Sequence, residues 1–237
     1  MSLQNWLTLH WQDLGGLVWL LAWWLGYATF AQRRAARGVV CIASVLHEHR
    51  ISWMRALLQR ENRIADAALL ANLERNASFL ASTSIFVIAG VFTLLASVEK
   101  VRDMVVAVPL VAVDVSSLQL QFKILVLLLI HVYAFFTFTW SMRQYGFSAI
   151  LLGAAPAKDE PAAQAENYVQ HVARVIDQAG MSYNFGLRAF YFSLAVLAWL
   201  LSAWVFVAAV TLIVAVLYGR EFHSPTLKDM LGATPSN

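Results

Sequence analysis

Charged side chains are absent from four long stretches of this chain: Leu14–Ala31, Ser78–Val98, Ile124–Ser141 and Phe190–Gly219. At ~1.5 Å per residue, each reaches or nearly reaches across a hydrocarbon core of ~30 Å. The pattern predicts an all-α fold, an integral membrane four-helix bundle with cytosolic and interfacial helices. Its transmembrane helices are expected over about 14–31, 78–98, 124–141 and 190–219, within a single membrane domain spanning 1–237. The last run, thirty positions long, exceeds the ~20 residues an upright helix needs, so it is expected to tilt or protrude.

The segments between the runs also carry helical spacing. No Gly or Pro occurs from Val39 to Ala89, and Ile42, Val45, Leu46, Trp53, Leu57 and Leu58 recur on one face. Helical segments are predicted over about 39–76 and 162–180. Asn62 is a candidate helix start, with Arg63 and Asp66 placed to pair one turn apart. The second helix of the pair opens at Glu160-Pro161 after a linker, Gly153–Ala163. Tyr168, Val172, Val175 and Ala179 form its apolar stripe, Glu166, Gln170, Arg174 and Asp177 face elsewhere, and Gly180 reads as its stop. It is expected to lie on the membrane or on the Val39–Gln59 helix. Met104–Val113, apolar but broken by Pro109, is too short to span and is expected to be interfacial.

Composition agrees with the pattern. Of 237 residues, 60% are hydrophobic and 13% charged, about half the charged share of a soluble domain. Met1–Asp13 has no Lys or Arg, so the first run lacks the basic flank of a cleaved signal peptide and is expected to remain. Lys and Arg number eight in 32–77 and four in 142–189, against five elsewhere. The positive-inside rule then puts those two segments in the cytoplasm and both termini outside, in the plasma (inner) membrane. Trp6, Trp11 and Trp140 suit an interfacial aromatic belt. Small residues four apart, at Ala22/Gly26, Ala198/Ser202 and Ala215/Gly219, allow close helix approach within or between subunits.

The candidate chemistry is sparse. His131 is the titratable residue deep in a run, which makes it a gate, a permeation contact or a ligand, or else a neutral imidazole bonded to a neighbouring hydroxyl. Ser82, Thr83 and Ser84 put three hydroxyls in three directions, toward a pore or back onto their own helix. His47-Glu48-His49 resembles a metal motif, but residues two apart on a helix do not share a face. Together with the single cysteine, Cys41, this gives no metal site, no disulfide and no cofactor. No G-x-S-x-G, Walker loop or G-x-G-x-x-G is present, so an enzyme is the less favoured class.

Several strings carry a family likeness: Arg50-x-x-Trp53-Met54; Arg75-Asn76 and Phe79 with Ala81-Ser82-Thr83-Ser84; Phe135-Phe136-x-Phe138 with Trp140 through Tyr145; Asn184-x-Gly186-Leu187-Arg188-Ala189-x-Tyr191; and Arg220-Glu221-Phe222. In these the chain resembles domain-of-unknown-function family 599, over residues ~50–222. The resemblance implies a four-span layout and no activity. It also marks an inner-edge polar cluster of Asn76, Arg143, Gln144, Asn184 and Arg188. Two functional readings follow. One is an oligomeric channel for ions or small solutes, whose basic cytosolic vestibule would favour anions, with His131 and the three hydroxyls as its polar points. The other is a membrane scaffold or accessory subunit that binds a cytosolic protein partner. Both involve membrane lipids and a homo-oligomer; neither involves nucleic acid.

Overall fold

The computed structural model describes residues 3–107, 116–156 and 161–233, without the side chains of 3–10, 12 and 36. They form helices throughout: α1 (Leu3–Ala36), α2 (Ile42–Gln59), α3 (Ile64–Ala96), α4 (Val98–Val106), α5 (Ser117–Gly153), α6 (Ala162–Leu201), α7 (Ala203–His223) and α8 (Pro225–Gly232). Lys158, Glu160, Pro109 and the remainder of Met104–Val113 beyond Ala107 lie outside the described residues.

Five helices, not four, are long and apolar enough to cross a membrane. The fifth arises because the run Phe190–Gly219 is broken at Ser202. The Ser202 amide still bonds the Ala198 carbonyl at 3.2 Å, and the Phe206 amide bonds the Ser202 carbonyl at 3.0 Å. Between them the Ser202 hydroxyl takes the Trp204 amide at 3.3 Å, as an N-cap serine does. Ser202 thus ends α6 and starts α7. The rings of Trp199 and Phe206 stack across the break, 4.6 Å apart and 9° from parallel.

The stop expected at Gly180 does not occur, and α6 continues unbroken to Leu201. Glycine serves another purpose there: a Cβ at position 180 would meet Arg50 Nη2 at 3.0 Å. The missing side chain is what lets the Arg50 guanidinium cross α6. α3 runs from Ile64 straight through the second apolar run, its first amide capped by Asn62 Oδ1 at 2.9 Å.

The helices pack as two compact units. The first comprises Met1–Arg34, Ser84–Tyr133 and Arg188–Tyr218. Its interior is aromatic. Trp24 stacks on Phe192 at 5.5 Å and meets Tyr133 edge-on at 5.4 Å, while Trp199, Phe206, Leu120 and Ile124 are fully buried. The second comprises Ala35–Thr83, Ala134–Leu187 and Gly219–Asn237. Its core joins Met54 and Leu57 of α2, Leu70 of α3, Tyr145 of α5, and Val169, Val172, Ala173, Ile176 and Ala179 of α6. The early part of α6 therefore lies on α2, and its buried stripe runs through Val169, Ala173 and Ile176 where the sequence suggests Val175.

Candidate functional site

The most unusual polar arrangement in the first unit is centred on Lys123. Its ammonium is buried with the Asp13 carboxylate; Nζ lies 3.4 Å from Asp13 Oδ1, and the two side chains are 9% and 8% exposed. The same Nζ donates to the Trp199 carbonyl oxygen at 3.1 Å and sits 5.8 Å from the centroid of the Trp199 ring. Of the three N–H donors of the ammonium, one goes to the carbonyl, while the carboxylate lies at ion-pair distance and the ring face lies farther off.

Each component follows from local structure. The Trp199 carbonyl sits one turn before the break at Ser202, where a helix leaves carbonyls without intrahelical donors. Gly16 makes room for the indole: a Cβ there would meet Trp199 Cζ2 at 3.0 Å. Trp199 Nε1 is buried with no hydrogen-bond partner among the described residues. Beside the pair, a cavity of about 360 Å³ is lined by Asp13, Leu14, Leu95, Leu118, Gln119 and Phe122. A buried ion pair is costly to desolvate and holds only when its other hydrogen bonds are satisfied. Here the helix break supplies one of them.

The residues singled out from the sequence are placed differently. His131 Nδ1 donates to the Leu127 carbonyl of its own helix at 2.9 Å, and its ring packs 5.5 Å from that of Phe190. Thr83 Oγ1 bonds back to Phe79 O at 2.9 Å, whereas Ser84 is buried and Ser82 exposed. In the inner-edge cluster, Gln144 Oε1 accepts from the Ser182 hydroxyl at 2.9 Å. Arg143 lies over Phe147 at 5.6 Å, Arg188 lies over Tyr27 at 5.1 Å, and Asn76 and Asn184 are exposed.

The arginines of the expected basic vestibule are occupied inside the second unit. Arg50 pairs with Asp177 at 2.5 Å, and His47 reaches the other oxygen of the same carboxylate. Arg55 meets Glu166 through both its Nε and Nη2. Arg55, with Gln170 beside it, holds the Glu166 carboxyl down at about 2; this glutamate lies in the charged stretch ahead of the apolar part of α6. Arg63, expected to pair with Asp66, donates instead to the carbonyls of Ala155 and Pro156. Asp66 takes Arg60 and the Trp53 indole, because Arg60 approaches from the α2 end while Arg63 lies before the first turn of α3. His47 and His49 diverge, the latter donating to Met230 O at 3.1 Å. Four arginines in 50–63 thus act as staples among α2, α3, α5 and α6.

A family model described as "Protein of unknown function, DUF599" matches residues 16–226. No curated protein and no solved structure matches the chain.

Proposed function

Because the chain belongs to the DUF599 family, whose description carries no activity, we propose a function from the site itself. The chain passes an ion or small solute across a membrane, under the control of Asp13, Lys123 and the Trp199 carbonyl. The observation that carries this reading is a lysine ammonium held between a carboxylate and a helix-end carbonyl in apolar surroundings. Those two oxygens form a cation site whose occupant is tethered to the chain. Charged groups buried at the end of an apolar run are costly to desolvate, and such groups are kept where ions or solutes are handled. Broken helices with free carbonyls beside a cavity recur at such sites. Passage requires Lys123 to leave its two oxygens, after which a mobile cation can take its place.

A single bundle without continuous polar lining needs further copies to wall a path, so the reading includes a homo-oligomer. Ala22 and Gly26 on α1 support this: both are exposed, and a Cβ at Gly26 would meet nothing within 4 Å. The reading also keeps 32–77 and 142–189 cytoplasmic and the N-terminus outside, in the plasma (inner) membrane. The expectation that both termini lie outside is given up, because five crossings leave the two ends on opposite sides and the Met230 carbonyl accepts from His49 of the 32–77 segment.

Flux of sodium, potassium, chloride and protons from proteoliposomes tests the proposal. Wild type should pass at least one of them, and Asp13→Asn and Lys123→Gln should change its rate at least tenfold. If none of the four ions moves, the channel reading fails. The second reading, a scaffold binding a cytosolic partner, would then stand. It is favoured by the separate core and charge staples that the second unit builds around α2 and α6.

A further inference from the structure

In the second unit, α3 and α5 border a groove of about 600 Å³, open along one side. Two residues lining it have opposite charge, Glu74 on α3 and Arg143 on α5. Among the described residues neither belongs to an ion pair. Arg143 is steered along the groove wall by Phe147, its guanidinium 5.6 Å from the ring centroid. Unpaired opposite charges facing one groove match a ligand that carries both signs.

The sequence fixes the depth of these charges. Glu74 stands one turn ahead of the charge-free run that opens at Ser78, and Arg143 lies two residues past the run that closes at Ser141. Both therefore fall at headgroup level. Phe136, Thr139 and Trp140, which also line the groove, lie inside the apolar run. Phe136 and Trp140 are 63% and 52% exposed, an apolar wall of the kind an acyl chain covers. Going from the run outward, the groove changes from aromatic to charged, as a phospholipid does.

We propose that this groove binds one zwitterionic phospholipid with a primary-amine headgroup: its phosphate on Arg143, its ammonium on Glu74, one acyl chain along Phe136 and Trp140. Guanidinium and phosphate make charge-assisted bonds, and an ammonium donates N–H to a carboxylate. A choline headgroup has no N–H to give. An anionic glycerol headgroup gains at Arg143 but meets Glu74 with no cation of its own. The site is independent of the Lys123 pair, so failure of either proposal leaves the other standing.

Native mass spectrometry of the detergent-solubilised full chain tests it, with phosphatidylethanolamine, phosphatidylglycerol and phosphatidylcholine added in equal amounts. Wild type should retain phosphatidylethanolamine over each of the others by at least about threefold, the low end of what one hydrogen bond contributes to affinity. Glu74→Gln should abolish the preference over phosphatidylglycerol, and Glu74→Asp should keep it. Arg143→Gln should lower retention of all three. Equal retention by wild type, or a preference that Glu74→Gln leaves intact, overturns the proposal.

Discussion

A methyl group on Gly186 of α6 would lie 2.5 Å from Cε1 of Phe138 on α5. Phe138 is fully buried and its ring meets that of Tyr183 edge-on at 5.7 Å. The ring has packing on its other sides and cannot simply swing away, so α5 and α6 owe their close approach here to the bare backbone of Gly186. Gly186→Ala is expected to cost about 1–3 kcal/mol through overpacking. Thermal unfolding in detergent measures it. Phe138→Leu in the same chain should recover part of the loss, since two residues in contact are not additive. A Gly186→Ala protein as stable as wild type would contradict the contact.

Asp66 is fully buried while Arg60, its partner, is 46% exposed. The carboxylate also takes the Trp53 indole N–H at 2.7 Å, tying the C-terminal part of α2 to the first turn of α3. Asp66→Ala leaves the half-buried Trp53 indole donor unpaired beside the core and is expected to destabilise by about 1–3 kcal/mol. Fluorescence of Trp53, with the other tryptophans as a constant background, should change before the global transition. Unfolding that coincides with wild type by both probes would count against this role.

How much of this was legible beforehand depends on whether the cause was local. The apolar runs are visible because they are continuous in sequence, and so is the capping of α3 by Asn62. The break at Ser202 is not: residues 187–218 contain neither Gly nor Pro, and the serine hydroxyl that caps α7 looks like any other hydroxyl in the run. Gly180 misleads because a glycine after an amphipathic stripe usually closes a helix, whereas here it accommodates a side chain from another helix. In the sequence Lys123 enters only the count of basic residues and Asp13 only bounds the first apolar run, each standing just before a charge-free run. Their matched depth and opposite sign were a usable signal. Their pairing, across 110 positions, was beyond any periodicity.

The two staples between α2 and α6 should respond differently to substitution. Arg50 and Asp177 are about one-fifth exposed, whereas Arg55 and Glu166 are about half exposed. Exposed ion pairs contribute little and are screened by salt. Asp177→Asn is therefore expected to lower Tm clearly, and Arg55→Gln only slightly. Because the Glu166 carboxyl is depressed from 4.5 to about 2, its small contribution is complete above the ordinary value. It fades as pH falls toward the lowered one. Between pH 5 and 8 the effect of Arg55→Gln should be flat. A Tm loss from Arg55→Gln equal to that from Asp177→Asn would reverse this ranking.

The Asp13–Lys123 pair makes the sharpest energetic prediction, because its two members are almost equally buried. Removing the amine with Lys123→Met leaves the Asp13 carboxylate uncompensated and takes the donor from the Trp199 carbonyl, so a loss of about 3–5 kcal/mol is expected. Asp13→Asn should cost less, since the ammonium keeps the carbonyl and the ring of Trp199. The double variant Asp13→Asn/Lys123→Met contains no buried charge, and well-packed neutral replacements of buried pairs are often tolerated. It should therefore be more stable than Lys123→Met alone. Unfolding of the four proteins in one detergent closes the cycle. A coupling energy near zero would mean that the two charges are solvated separately, and Lys123 could then no longer serve as the tethered occupant of a cation site.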